Sequence, residues 1–333
     1  MGHTQPSYFQ SSGIFGKMRL ALLGLICGLT LLVGFFAKLN MTAGAYLRAF
    51  PIFRAPALTG DYCRNVVGLH NGGNTCYQNA LLQCLLNSPM FPEAAAGDGP
   101  LAEALRKLHT ALSIGIVPRD TAEVRGAVQP QDRWNSGHQQ DSQEFLVALR
   151  DQQPPIGAAT EIKCDEALTC PQCQGITRQS ISVFELSISL DGPTDLRTLL
   201  QNHFRPELVP RSCDACDSVQ ASKALAITTL PRYLIIHLKR FSFDAATLTP
   251  SKISTFISCP MLGLVIPTVN GSVEFQLIST VQHGGSTEGG HYWAHVHDSL
   301  SDSWFNFNDA SATPMTPEAV VNAETYILFY ASS

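Results

Sequence analysis

The chain has 333 residues, 45% of them hydrophobic and 15% charged, enough to bury large cores without disulfide staples. Its net charge of -5 hides an asymmetry: residues 1–60 carry Lys17, Arg19, Lys38, Arg48 and Arg54 and no acid, leaving 17 bases against 27 acids in the rest. A body that acidic argues against nucleic acid as a partner, since phosphate binding needs basic surface, and suits a basic protein ligand.

Leu20 to Ala37 is an uncharged run, LALLGLICGLTLLVGFFA, bounded by Lys17 and Arg19 before and Lys38 after. At about 1.5 Å per residue it reaches roughly 27 Å, just enough for a bilayer core. A buried soluble helix would show a polar face, and this run has none. A cleavable leader draws support from the small residues Thr42-Ala43-Gly44-Ala45. The length of the run and the bases after it fit a retained transmembrane anchor best. Two bases before and three after favour a cytosolic C-terminal side.

Residues 68–90 hold a glycine-rich turn and then a helical pattern, with Tyr77, Ala80, Leu81, Cys84 and Leu85 at spacings of three and four. Asp141 to Arg150 predicts a second helix, capped between Gly137 and Asp141, and Gln152 to Gly157 breaks the chain. Strands dominate beyond it: Leu186, Ile188 and Leu190 alternate with serines, followed by runs at 233–243, 273–283, 291–297, 304–307 and 326–330. Helices first and antiparallel strands later indicate an α+β fold.

In Gly68-Leu69-His70-Asn71-Gly72-Gly73-Asn74-Thr75-Cys76-Tyr77-Gln78-Asn79 the glycines allow a sharp turn and Cys76 opens the helix. A thiol at a helix N-terminus sits at the positive end of the dipole, which favours thiolate. Asn71 can offer its amide to an oxyanion. His291 follows the glycine loop 283–290 and opens a strand, where hydrogen-bond reach to Cys76 in space is all that a Cys–His pair requires. Trp293, His295 and His297 share its strand face, the histidines reading as polar surface rather than a metal pair. Asn308 and Asp309 end Trp304-Phe305-Asn306-Phe307-Asn308-Asp309. The pairs Cys170/Cys173 and Cys213/Cys216 have metal-knuckle spacing, and four thiolates fill a tetrahedral zinc shell. Cysteines so placed fit a reduced, cytosol-facing protein.

These strings, with His138-Gln139-Gln140-Asp141-Ser142-Gln143-Glu144-Phe145-Leu146 and Leu230-Pro231-Arg232-Tyr233-Leu234-Ile235-Ile236-His237-Leu238-Lys239-Arg240-Phe241, resemble the ubiquitin-specific protease family of papain-like deubiquitinases. The pattern departs at Gly72, Gln78 and Ala80, and Gly72 in place of a leucine is expected to loosen the turn that carries Asn71. The resemblance implies a thumb–palm–fingers cysteine protease with structural zinc in the fingers. It further implies Cys76 as nucleophile, His291 as base, Asn308 as the third residue with Asp309 beside it, and Asn71 in the oxyanion hole. Asp141, with Gln140, would read the ubiquitin tail through an arginine, a pairing that carboxylate–guanidinium chemistry suits. The expected division is a short N-terminal segment (1–19), the anchor (20–37), a linker (38–65) and the catalytic domain (66–331). Expected partners are ubiquitin, ubiquitinated proteins and a membrane, with no nucleic acid. The short anchor with acid-free flanks resembles that of the family's mitochondrial outer-membrane member, which makes that membrane the first expectation and the endoplasmic reticulum the second.

Overall fold

The computed structural model describes residues 66–117, 121–244 and 249–332. The expected anchor and linker lie outside them. Among the described residues no helix is long and apolar enough to cross a membrane.

A helical lobe, the thumb, comes first. Helix α1 (Cys76–Leu86) follows the glycine turn, and every residue in it is buried. Its few polar side chains find partners: Gln78 donates to the Thr121 carbonyl and Gln83 to that of Val67, each at 3.0 Å, and Asn79 to those of Leu69 and His70 at 3.4 and 3.3 Å. A helix that is mostly apolar and whose amide N–H groups find carbonyl partners belongs in the middle of a core, although the buried Gln78 Oε1 has no partner among the described residues. Around it lie α2 (Phe91–Ala94), α3 (Pro100–Ser113), α4 (Ala122–Ala127), α5 (Gln131–Trp134), α6 (Ser142–Gln152) and α7 (Pro154–Thr160). Asp141 caps α6 as its position suggests, accepting the N–H groups of Gln143 and Glu144 at 2.8 and 3.0 Å. Phe145 of α6 meets Tyr77 edge-on at 5.4 Å and Trp134 at 5.0 Å, which packs α6 on α1. The expected break does end α6, but Pro154 then starts α7. Proline suits a first helical turn because it has no N–H to satisfy there.

The palm is an eight-stranded sheet. Its strands are β3 (Leu186–Ser189), β6 (Tyr233–Lys239), β9 (Leu264–Thr268), β10 (Gly271–Gly285), β11 (Gly290–Asp298), β12 (Ser303–Asn308), β13 (Ser311–Met315) and β14 (Thr325–Ser332). They run in the order β13-β12-β11-β10-β14-β6-β3, with β9 on the early part of β10 and only the β3–β6 pair parallel. Strand alternation divides the apolar residues between two cores. Ile327, Phe329, Val281, Ala294 and Phe307 face α1, whereas Leu328, Tyr330, Leu234 and Ile236 join Leu196 and Leu199 of α8 (Leu196–His203) on the other side. The fingers are a separate sheet in the order β2-β1-β5-β4, made of β1 (Ile162–Thr169), β2 (Ile176–Val183), β4 (Glu207–Pro210) and β5 (Gln220–Thr229). A hairpin of β7 (Phe241–Asp244) and β8 (Thr249–Lys252) completes the set. The α+β architecture is the expected one.

Candidate active site

The turn before α1 is tied by Asn71. Its Oδ1 accepts from the Gly73 N–H at 3.0 Å and from both the N–H and the hydroxyl of Thr75 at 3.1 Å. The expected loosening at Gly72 does not occur, because the turn closes through Asn71 and Thr75 and needs no side chain at 72. Gly68 brings this turn to the far end of the chain. The Leu69 N–H donates to the Asp309 carbonyl at 2.7 Å, and a Cβ on Gly68 would stand 2.3 Å from Ala310. Asp309 occupies the left-handed region at φ 48°, which short polar residues tolerate. Its carboxylate accepts the Asn71 amide at 3.0 Å and the Asn79 amide at 2.9 Å. One N–H of Asn71 is therefore committed to Asp309 rather than free for an oxyanion, and one remains.

Cys76 is 4% exposed. Burial pushes its thiol above the ordinary value and the Asp309 charge adds to this, while the backbone N–H groups of Tyr292 and Tyr77 act the other way. The helix-start argument for a ready thiolate is thus overruled by desolvation. Opposite it, His291 Nε2 lies 2.7 Å from Asn308 Oδ1. An amide oxygen only accepts, so Nε2 carries the proton and the Nδ1 lone pair remains available as a base. Asp309 Oδ2 is 3.9 Å from the same nitrogen, too far for a hydrogen bond. Asn308, not Asp309, holds the imidazole. Among the described residues Cys76 and His291 share no hydrogen bond; nucleophile–base pairs are often loose before substrate binds.

Beside this centre runs a cleft of ≈ 310 Å³ between Gln139–Asp141 and Glu144 of the thumb and Phe241, His283, Tyr292 and the loop 286–290 of the palm. Gln140 lines it and hydrogen-bonds Arg133. Asp141 is not the free carboxylate that tail reading by charge requires. Beyond the two backbone N–H groups that it caps, its Oδ2 accepts the hydroxyls of Tyr292 and Tyr326 at 2.9 and 2.8 Å. Burial and the Asp141 charge keep both phenols protonated, so four donors occupy the carboxylate's four acceptor sites. An incoming guanidinium has to displace a phenol or share an oxygen with it. His283, which burial and then Lys252 hold down to about 4, is a neutral part of the cleft floor. Tyr292, Tyr326, Asn79 and His283 escape the sequence reading; the only signal for Tyr292 is its place next to His291. His295 is not polar surface either: it is 4% exposed, while His297 hydrogen-bonds Asp302 at 3.1 Å.

At the tip of the fingers the β1–β2 turn and the β4–β5 turn lie side by side and carry Cys170, Cys173, Cys213 and Cys216. Their sulfurs all fall within 4.8 Å of one another, with Cys170–Cys216 at 3.5 Å and Cys173–Cys213 at 3.7 Å. A tetrahedron of about 2.3 Å metal–sulfur bonds has edges of roughly 3.8 Å, so the thiols fit a four-coordinate metal. Backbone N–H groups of Cys173 and Gln172 favour thiolate at Cys170, holding its pKa near 6.

A family model described as ubiquitin carboxyl-terminal hydrolase matches residues 67–330. Ubiquitin carboxyl-terminal hydrolase 2 of Homo sapiens is 25% identical over 337 residues, covering 80% of this chain and 55% of that protein. Ubiquitin carboxyl-terminal hydrolase 27 of Homo sapiens is 26% identical over 360 residues, covering 83% of this chain and 81% of that protein. The chain spans about half the length of several of these relatives, including those from rat and human numbered 2. Among solved structures, the SAGA Ubp8/Sgf11/Sus1/Sgf73 DUB module bound to ubiquitin aldehyde superposes with TM-score 0.71 at 22% identity, over 87% of this chain and 74% of that one. This likeness shows a shared fold.

Proposed function

Because the chain belongs to the ubiquitin carboxyl-terminal hydrolase family, we propose that it is a thiol-dependent deubiquitinase that cleaves the isopeptide or peptide bond after the C-terminal glycine of ubiquitin. The observation that carries this is the His291–Asn308 pair at 2.7 Å, set across from a cysteine at the start of the central helix. Ubiquitin's tail enters the cleft beside Asp141 and Gln140. The Nδ1 lone pair of His291 takes the proton of the buried Cys76 thiol as the sulfur attacks the glycine carbonyl, and Asn71 stabilises the oxyanion with its remaining N–H. The imidazolium then protonates the departing lysine amine, and a water deprotonated by His291 releases ubiquitin. The test is hydrolysis of a ubiquitin C-terminal fluorogenic substrate, abolished by Cys76→Ala with ubiquitin binding retained. Turnover by that variant removes Cys76 from the mechanism.

The four fingers cysteines would hold a structural zinc, with no open position for chemistry. For residues 1–65 the proposal remains an anchor at 20–37 with the body in the cytosol, at the mitochondrial outer membrane before the endoplasmic reticulum. A variant lacking residues 1–55 should be active and no longer sediment with membranes. Protection of the catalytic domain from protease added to intact organelles would overturn that topology.

A further inference from the structure

Strand β11 places His291, Trp293 and His295 on one face of the palm, each two residues from the next. The Trp293 indole stands against the His291 imidazole, with ring centroids 6.1 Å apart and planes inclined by 22°. Its Nε1–H donates to Nε2 of His295 at 3.1 Å, and Nδ1 of His295 lies 2.8 Å from the Val320 carbonyl oxygen. A carbonyl only accepts, so Nδ1 carries the proton and Nε2 is left as the acceptor that the indole needs. Burial holds the His295 pKa below the ordinary value, which keeps that lone pair free of a proton. The Val320 carbonyl is itself fixed, because it also accepts Gln282 Nε2 at 3.3 Å and Gln282 is bonded to Thr280 and Thr325. A chain of polar contacts thus starts in the interior and ends on Trp293, whose ring stands beside the His291 imidazole. Gly284 makes room for it: a Cβ there would stand 3.1 Å from two carbons of the indole.

We propose that Trp293, locked in place by His295, is a positioning residue for the imidazole of His291. The inference rests on His291 being the general base. His291 is 41% exposed and has one hydrogen bond among the described residues, to Asn308. A single bond leaves such a ring free to swing into water. The indole closes one side of that escape, and Ala294 opposite Phe307 brings Trp293 and Asn308, the next residue on each strand, alongside each other. The same wall lowers the local dielectric around the Nε2–H···Oδ1 bond, which strengthens it. The π face also favours the imidazolium that forms when Cys76 gives up its proton.

The test uses the full-length protein in detergent, with the fluorogenic ubiquitin substrate. Trp293→Phe, which keeps a ring but loses the N–H, and His295→Met are each expected to lower kcat about tenfold at unchanged KM, the scale of a small misplacement of a catalytic group. The double variant should be no worse than the weaker single, because both remove one hydrogen bond. His295→Gln, whose amide oxygen can accept the indole N–H, should restore most of the loss. Diethylpyrocarbonate should modify His291 several times faster in Trp293→Ala, read by mass spectrometry. Multiplying effects, a change confined to KM, or unaltered modification of His291 would overturn the proposal. If the wild-type protein fails to cleave the substrate, the deubiquitinase reading falls, and the modification rates still decide whether Trp293 holds His291.

Discussion

Asp309→Asn is expected to slow turnover without weakening ubiquitin binding. Asp309 takes the Asn71 amide on one oxygen at 3.0 Å and the Asn79 amide on the other at 2.9 Å. In the asparagine variant one of these oxygens becomes an NH2 group, so a donor faces a donor. Asn79 has alternatives in the Leu69 and His70 carbonyls, and Asn71 Nδ2 has none among the described residues. The misaimed group is therefore the one assigned to the oxyanion. Outright loss of an oxyanion donor costs about 10²–10³ in kcat, or ~2.7–4 kcal/mol. The Asn71 carbonyl stays tied to Gly73 and Thr75, so the expected loss is smaller, roughly 10- to 100-fold in kcat at constant KM. The hemithioacetal oxygen formed with ubiquitin aldehyde occupies the oxyanion position, so inhibition by the aldehyde should weaken by the same factor. Asn71→Ala should cost more, and adding Asp309→Asn to it should cost nothing further. The Asp309 charge helps to raise the Cys76 thiol, so Asp309→Asn should also move the thiol limb of the kcat/KM profile to lower pH, whereas Asn308→Ala should lower kcat by removing the hydrogen bond that holds the imidazole. Full turnover by Asp309→Asn, or an unchanged affinity for ubiquitin aldehyde in that variant, would refute the assignment.

Three further outcomes follow from the geometry. The Cys76 thiol is raised by burial, so alkylation of the free enzyme by iodoacetamide should have its midpoint above the ordinary thiol value of about 8.5. Such a group is neutral below that midpoint and reacts as pH rises through it, so strong reactivity at pH 6 would show an ion pair that this geometry lacks. Cys173→Ser or Cys216→Ser should release about one metal per chain and lower the folded yield, since binding energy at such a site is folding energy; an active wild-type preparation free of metal would end the zinc reading. Asp141→Asn should lower Tm, because two phenols and a helix cap lose a charged acceptor. It should also raise KM if Asp141 reads the tail, whereas a lower Tm with KM unchanged would make Asp141 structural alone.

What could be read from the sequence was what neighbours along the chain decide. A glycine turn followed by an apolar run gives α1 its start, CxxC spacing brings the metal ligands together in pairs, and a polar residue before Ser142 caps α6. The readings that failed were local arguments overruled at a distance. The dipole at the start of α1 is real, but the palm sheet that covers Cys76 desolvates it, and desolvation is the larger effect. The Asp141 carboxylate seemed free because its two phenol donors stand 151 and 185 residues further along. The two prolines after Gln153 did mark the end of α6, and what the sequence reading left out is local: proline at a first helical position also starts a helix. Asn308 and Asp309 show the boundary most clearly. The family resemblance puts Asn308 in the third position with Asp309 beside it, whereas nothing local ranks two short polar residues at the end of a strand. The strand ends at Asn308, and the left-handed turn at Asp309 sends its carboxylate towards α1 and the Asn71 turn. That rotation, which Gly68 permits by letting the two backbones touch, divides the contacts: Asn308 holds His291, the proposed base, and Asp309 holds Asn71, the proposed oxyanion donor.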